Sequence, residues 1–262
     1  MSKPTSRSEG PMVLPRAFAL LRLLADAPQG LNLSAMSTSL EVPKSSLSST
    51  LKALTDQGFL SRRGTLYFLG GEAYALASTI LAGRTIRQIA RPYLEQTMEL
   101  TGETVLLAQL DVDEKYITYI DSVESDKSIR FSVPIAARRG IYCSAAGRIF
   151  LAHMGDRQRE AYYRDTQLEK MTDATPTDRL ELEKIVEDIR KQGVSITMGV
   201  YSADAAGFAT PIYNSDGNLV ASITIGVPVS RASREPEKYI EAARKAGADI
   251  SKVLGYSEGG SG

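Results

Sequence analysis

The sequence predicts an α+β fold in two parts: a small helical head closed by a hairpin, and a larger domain of one sheet with helices packed on it. Three observations carry this. Over roughly the first 70 residues, apolar side chains recur at three- and four-residue spacing, the period of short amphipathic helices. From Thr104 the period drops to two, that of strands, and strand-like and helix-like segments then follow one another. Between the parts, Gly70-Gly71 begins a boundary, and the helical stretch after it, with Ala75, Leu76 and Ile80 apolar, reads as a linker. The expected organisation is a head over 1–71, a linker helix over 72–85, a second domain over 86–256 and a flexible tail over 257–262.

Taken in order, residues 1–12 are rich in Ser, Pro and charge and read as a disordered arm. Ala17, Leu20, Leu21 and Leu24 set a helix over 14–26, which Pro28-Gln29-Gly30 breaks. Ser34 suits the cap of a second helix, 34–40, with Met36 and Leu40 inward. Glu41-Val42 turns the chain into a third helix, 43–57, where Pro43 fits the first turn and Gly58 the position just past the end. Leu47, Leu51 and Leu54 form its apolar stripe, and Ser45, Ser48, Ser49 and Lys52 face the other way. Alone, this stretch would read as an ordinary surface helix. Two short helices across a turn, the second with small donors and a cation outward, instead make a helix-turn-helix whose second helix fits a DNA major groove. Phe59–Arg62 and Leu66–Leu69 flank Arg63-Gly64 as a hairpin with a basic tip, giving a winged helix.

The larger part reads as helices over 72–82 and 86–101, then strands at 105–110, 115–123 and 128–133. Helices follow at 144–154, 156–164 and 178–192, then strands at 194–198, 208–213 and 219–227, with a turn at Asn214–Asn218 and a last helix over 235–254.

Net charge is zero, but residues 1–70 hold eight Lys/Arg against four acids, a net +4 balanced by −4 in the remainder. That is the split of a basic DNA-reading head on a mildly acidic body. One cysteine excludes an internal disulfide, and one cysteine with one histidine cannot make an ordinary zinc site. No apolar run approaches the ~20 residues of a membrane span, and Met1–Gly10 lacks the apolar core of a secretory signal. The expectation is a cytoplasmic protein with no membrane partner, metal or cofactor. No nucleophile elbow, phosphate loop or paired-carboxylate pattern is present, so no catalysis is expected. Cys143 lacks a nearby second thiol or base, and His153 sits in the apolar run Ile149–Met154 as a satisfied or partly exposed histidine.

For DNA, Ser45, Ser48, Ser49 and Lys52 are the base-edge and phosphate candidates, with Lys44 and Ser46 at the helix start on phosphate. Each serine can equally be a solvent-facing filler. Arg62 and Arg63 are the wing contacts. In the larger domain, Ser144 suits an N-cap, and the amides of Ala145 and Ala146 with the helix dipole form a seat for an anion. The alternative is a capped helix without ligand. Phe131, Tyr142 and Tyr201 offer an apolar or aromatic wall or are plain core. Arg130 and Arg139 offer a second carboxylate partner or surface salt bridges.

Four stretches together resemble the isocitrate-lyase-regulator-type (IclR) family of bacterial transcription factors: Leu14–Leu21, Leu40–Leu47, Arg138–Arg148 and Phe208–Ile223. The resemblance spans nearly all of 13–256. It implies a winged helix-turn-helix, a linker helix and a GAF-like effector-binding domain, acting as a repressor or activator on a double-stranded DNA operator. It further implies a small organic carboxylate effector, aromatic or another catabolic intermediate, and self-association as a dimer or dimer of dimers. By the same match, Arg16 approaches the DNA backbone, and Thr197, Gly207, Phe208 and Thr224 face the anion seat. Ser48-Ser49 departs from the basic or bulky residues common there, and Val200 and Asp204 replace an acid and a glycine often found near those positions. The remaining alternatives are a domain that only mediates oligomerisation and a GAF-like thiol redox enzyme, the latter opposed by the lone cysteine.

Overall fold

The computed structural model describes residues 13–82 and 85–257 and divides into two compact units, Met1–Arg84 and Thr85–Gly262. The expected arm at 1–12, positions 83–84 of the expected linker and the tail from 258 lie outside the described residues.

The first unit holds α1 (Val13–Ala25), β1 (Leu31–Asn32), α2 (Leu33–Ser39), α3 (Lys44–Asp56), β2 (Leu60–Arg63), β3 (Leu66–Leu69) and α4 (Gly71–Ala82). Leu20 and Leu24 of α1 meet Met36 of α2, Leu47 and Leu51 of α3 and Leu60 of β2 in one buried cluster. The cap of α2 is Asn32, whose Oδ1 accepts the Ala35 amide at 2.8 Å, rather than Ser34, which lies inside the helix. Asn32 can do so because β1, a two-residue strand too short to show periodicity, pairs with β3 and fixes it in extended backbone. Pro43 caps α3 without a side-chain bond, and Gly58 takes φ +77° just beyond the helix. Arg63 pairs with Leu66, so the wing turns at Gly64–Thr65 and both arginines belong to β2, not to the tip.

The second unit holds α5 (Ile86–Thr101), β4 (Thr104–Leu110), β5 (Tyr116–Val123), β6 (Arg138–Gly140), α6 (Ala145–His153), α7 (Asp156–Asp165), α8 (Arg179–Gln192), β7 (Ser195–Met198), β8 (Ala205–Tyr213), β9 (Leu219–Pro228), α9 (Val229–Ala232) and α10 (Pro236–Val253). The strands form one antiparallel sheet in the order β6-β5-β4-β9-β8-β7. Alternation sorts its faces. Leu106, Ala108, Ile117 and Ala209 pack under α6 and α8. Val105, Leu107, Phe208, Ile223 and Ile225 pack under α5 and α10.

Residues 128–133 are not a strand. Phe131 gives its carbonyl to Thr104 Oγ1 (2.5 Å), and Arg130 and Ser132 bind the Glu124 carboxylate, so the segment spends its polar groups on anchors rather than a ladder. Pairing with β5 begins at Ala136, whose amide donates to the Tyr119 carbonyl at 2.8 Å while its φ turns to 68°, and continues into β6.

Candidate DNA-reading surface and ligand cavity

The apolar stripe of α3 is spent on the head's core, which leaves Lys44, Ser45, Ser48, Ser49 and Lys52 exposed on its outer face, with Ser46 half-buried. Ser48 Oγ donates back to the Lys44 carbonyl at 2.8 Å, so its hydroxyl proton is committed and it faces outward mainly as an acceptor. A groove between α3 and the wing is lined by Ser34, Ser48, Lys52, Arg62 and Tyr67 among others. Arg62 Nε donates to the Gly64 carbonyl at 2.9 Å and its guanidinium lies over the Tyr67 ring at 5.4 Å; Arg63 lies over Phe68 at 5.3 Å. These stacks hold both cations on the wing while leaving them exposed. Arg16 is half-buried on α1, with its Nε lacking a partner among the described residues.

In the second unit a cavity of about 50 Å³ lies between the start of α6 and the sheet. Ser144 Oγ caps α6 by accepting the Gly147 amide (3.1 Å) and donates to the Gly140 carbonyl (3.0 Å). The floor is a glycine pair: Gly207 of β8 stands opposite Gly226 of β9. A Cβ on Gly207 would lie 2.9 Å from Ala145 Cβ and 3.1 Å from Thr197 Oγ1, and one on Gly226 would strike the Phe131 ring. Two missing side chains thus make the recess that Ala145 and Phe131 approach. Thr224 Oγ1, on a residue 3 % exposed, has no hydrogen-bond partner among the described residues and lines this cavity. Such an orphan costs stability unless a water or ligand completes it. Arg139 brings the cavity's charge; its Nη1 donates to the Arg138 carbonyl (2.8 Å) and its guanidinium stacks on Tyr201 at 4.2 Å. No carboxylate lines the cavity among the described residues.

Of the residues expected here, Phe131, Ser144, Ala145, Thr197, Tyr201, Gly207, Thr224 and Arg139 line the cavity, and Tyr142, Ala146 and Phe208 do not. Phe208 follows Gly207 on a strand and so points to the opposite face, where its ring meets Tyr239 of α10 at 5.3 Å. Tyr142 turns away to donate its hydroxyl to the Glu169 carbonyl at 2.8 Å. Ala146 is fully buried in the core behind α6. Arg130 pairs with Glu124 at 3.1 Å. Sequence reasoning missed Tyr119, Cys143, Ala205, Ala206 and Gly226; the register Gly207↔Gly226 would have found the last, had the strand pairing been known.

Burial pushes the Tyr119 phenol up to about 12, partly opposed by Arg139, and raises the Cys143 thiol against the pull of Arg148. A protonated, 1 % exposed thiol is a poor nucleophile. Beneath it, Arg148 is buried, its Nε donating to the Tyr142 carbonyl (2.8 Å), and burial lowers its pKa to about 10. His153 is satisfied, with Nδ1 at 2.7 Å from the Ile149 carbonyl and Nε2 at 2.6 Å from Tyr213 Oη.

A winged helix with an exposed basic face, and a sheet domain enclosing a small cationic cavity, are the two components of a DNA-binding transcriptional regulator with a sensory domain. Comparison with known proteins names the family. The IclR helix-turn-helix domain matches residues 13–64, and the C-terminal domain of bacterial IclR transcriptional regulators matches 78–252. The chain belongs to the IclR family, a family of regulators rather than enzymes. It is 29% identical over 220 residues to the acetate operon repressor of Salmonella typhimurium (83% of this chain, 80% of that protein). It is 27% identical over 259 residues to the repressor AllR of Salmonella paratyphi A (97% and 93%). The repressor BlcR of Agobacterium tumefaciens has a similar crystal structure, with a TM-score of 0.83 at 24% identity, covering 96% of this chain and all of that one. No helix among the described residues is long and apolar enough to cross a membrane.

Proposed function

We propose that this chain is a repressor whose hold on an operator is set by a compact organic acid bound under α6. The observation that carries the reading is the Thr224 hydroxyl, unpartnered among the described residues, in a cavity whose described lining carries one charge, Arg139. An acid fits both: a carboxylate between Arg139 and the α6 amides, and a second polar atom on Thr224 and Thr197. The volume favours an acid of few heavy atoms over an aromatic one, since drug-sized ligands fill ~300–1,000 Å³. The relatives' names support repression. On the head, Lys44, Ser46, Arg62, Arg63 and Arg16 hold phosphates, while Ser45, Ser48, Ser49 and Lys52 meet base edges or backbone.

Self-association belongs to the same proposal. Leu14 and Phe18 of α1, and Tyr74, Leu76 and Ile80 of α4, are large apolar side chains left exposed within the head. A dimer covers them and reads two half-sites.

The test is a thermal-shift series of two- to four-carbon acids and aromatic acids, followed by footprinting on the chain's own upstream DNA with and without hits. Stabilisation by a short acid together with a changed footprint supports the proposal. A protected site indifferent to every acid leaves a domain that only assembles, and no protected site at all defeats the reading.

A further inference from the structure

We propose a second ligand site at the β8 edge of the sheet, away from the α6 cavity, a groove between the α8 and α10 layers that takes a planar aromatic anion. The groove is about 620 Å³, within the ~300–1,000 Å³ of small-molecule sites. It runs between the end of α8 and the last turns of α10. Three features fix the chemistry of its occupant.

The first is charge. Arg244, Ala248 and Lys252 lie at i, i+4 and i+8, one above another on a single face of α10, all exposed. The small residue between the two cations leaves a gap flanked by positive charge. Arg244 is held in place by donating to the Gln192 carbonyl at the end of α8 (2.8 Å), which also offsets the negative end of that helix. Among the described residues, Lys252 has no acidic partner and no carboxylate lines the groove. The nearest acid on α10, Asp249, is taken by Lys245 at 2.6 Å.

The second is a flat wall. Tyr256 lies with its ring 4.8 Å from that of Tyr213 and tilted by 32°, and both line the groove. Tyr213 is held from behind by His153 at 2.6 Å.

The third concerns the sheet edge. Beyond Ser195, where β7 starts, β8 runs on without a partner on that side. Pro211 there has no N–H, and the Tyr213 amide is taken by Ser251 Oγ at 3.0 Å. The groove is therefore closed to an added strand, and what remains for recognition is two cations and an aromatic face. A ring laid on Tyr256 places its carboxylate or phosphate across Ala248 between Arg244 and Lys252. Benzoate-like and nucleotide-like anions share this chemistry.

The experiment is saturation-transfer NMR on the full chain with benzoate and with adenosine monophosphate as probes, and cyclohexanecarboxylate as the non-planar control. At least one planar probe should bind, the control at least fivefold more weakly. Arg244→Gln/Lys252→Gln should weaken binding at least tenfold. Ala248→Trp, which fills the gap and keeps both charges, should do the same; if it melts early, the double variant alone decides. Thr224→Val, in the other cavity, should leave binding unchanged. The proposal is overturned if neither probe binds, if binding survives both groove variants, or if Thr224→Val abolishes it. It is equally overturned if the groove variants alter only the oligomer size seen by sedimentation, which would make this face a contact between copies.

Discussion

Thr224 shows how far a single side chain can be read. Its hydroxyl is buried without a partner among the described residues, so Thr224→Val should raise the stability of the unliganded protein by up to about 1 kcal/mol, because a shape-matched methyl removes an unpaired polar group. The same change should weaken the acid bound under α6 by about tenfold or more, the worth of a hydrogen bond to a charged ligand. Melting temperature and calorimetric titration should thus move in opposite directions, and a variant that loses stability without losing affinity would place Thr224 in the scaffold alone. The neighbouring residues show which placements sequence can make. Thr197, Gly207 and Thr224 were legible through a family motif, but Phe208 was not, because strand alternation turns adjacent residues to opposite faces. Tyr142 was lost for a different reason: a carbonyl 27 residues away, at Glu169, decides where its hydroxyl goes, and no local pattern records that.

At the level of elements, helices were legible because their apolar stripes are local, and α3 is the best case. Its outward face makes a specific prediction: Lys52→Ala should weaken specific and non-specific DNA alike and flatten the salt dependence by about one counterion. Equal salt slopes for the variant and the parent would remove Lys52 from the phosphate contacts. Elements fixed by distant partners were not legible. Residues 128–133 read as a strand, yet they lie in a loop, 124–137, pinned at Glu103. That carboxylate is fully buried and receives Lys127 at 2.7 Å and Arg231, from α9, at 2.6 and 2.7 Å. Burial alone would raise its pKa, but the bonds from Arg231 and Lys127 outweigh it and hold the group below its usual range. Its folded value being depressed, the stability it contributes is complete above the unfolded pKa of ~4.3 and is lost as pH falls through the folded value. Glu103→Ala should cost about 1–2 kcal/mol at pH 7, where it removes the buried acceptor shared by Arg231 and Lys127, both partly open to solvent, and its deficit relative to the parent should shrink in denaturant titrations below pH 4. A deficit independent of pH would mean that packing, not charge, holds the loop. Since Phe131 of this loop covers Gly226, the same variant should loosen the ligand cavity.

At the scale of the molecule, two units with separate cores carry two different tasks, and nothing in the sequence fixes how strongly one senses the other. The two-part plan was legible because the change of period near Thr104 and the charge split are properties of long stretches. The strength of coupling is not, because it is a difference between two assembled states, each with its own free energy. It can nonetheless be bounded by linkage. If the acid changes the operator's dissociation constant by some factor, operator DNA must change the acid's dissociation constant by the same factor, typically about 5- to 150-fold. Titrating acid into the protein with and without a saturating operator duplex, and operator into the protein with and without acid, gives the two factors independently. Equal factors above one establish that a single equilibrium between two states links the head to the cavity, which requires the acid to bind those states with different affinity. Two factors of one, with both ligands still bound, would show a head and a sensor that share a chain and no conformational change, and the regulatory reading of the cavity would fall even though its ligand is real.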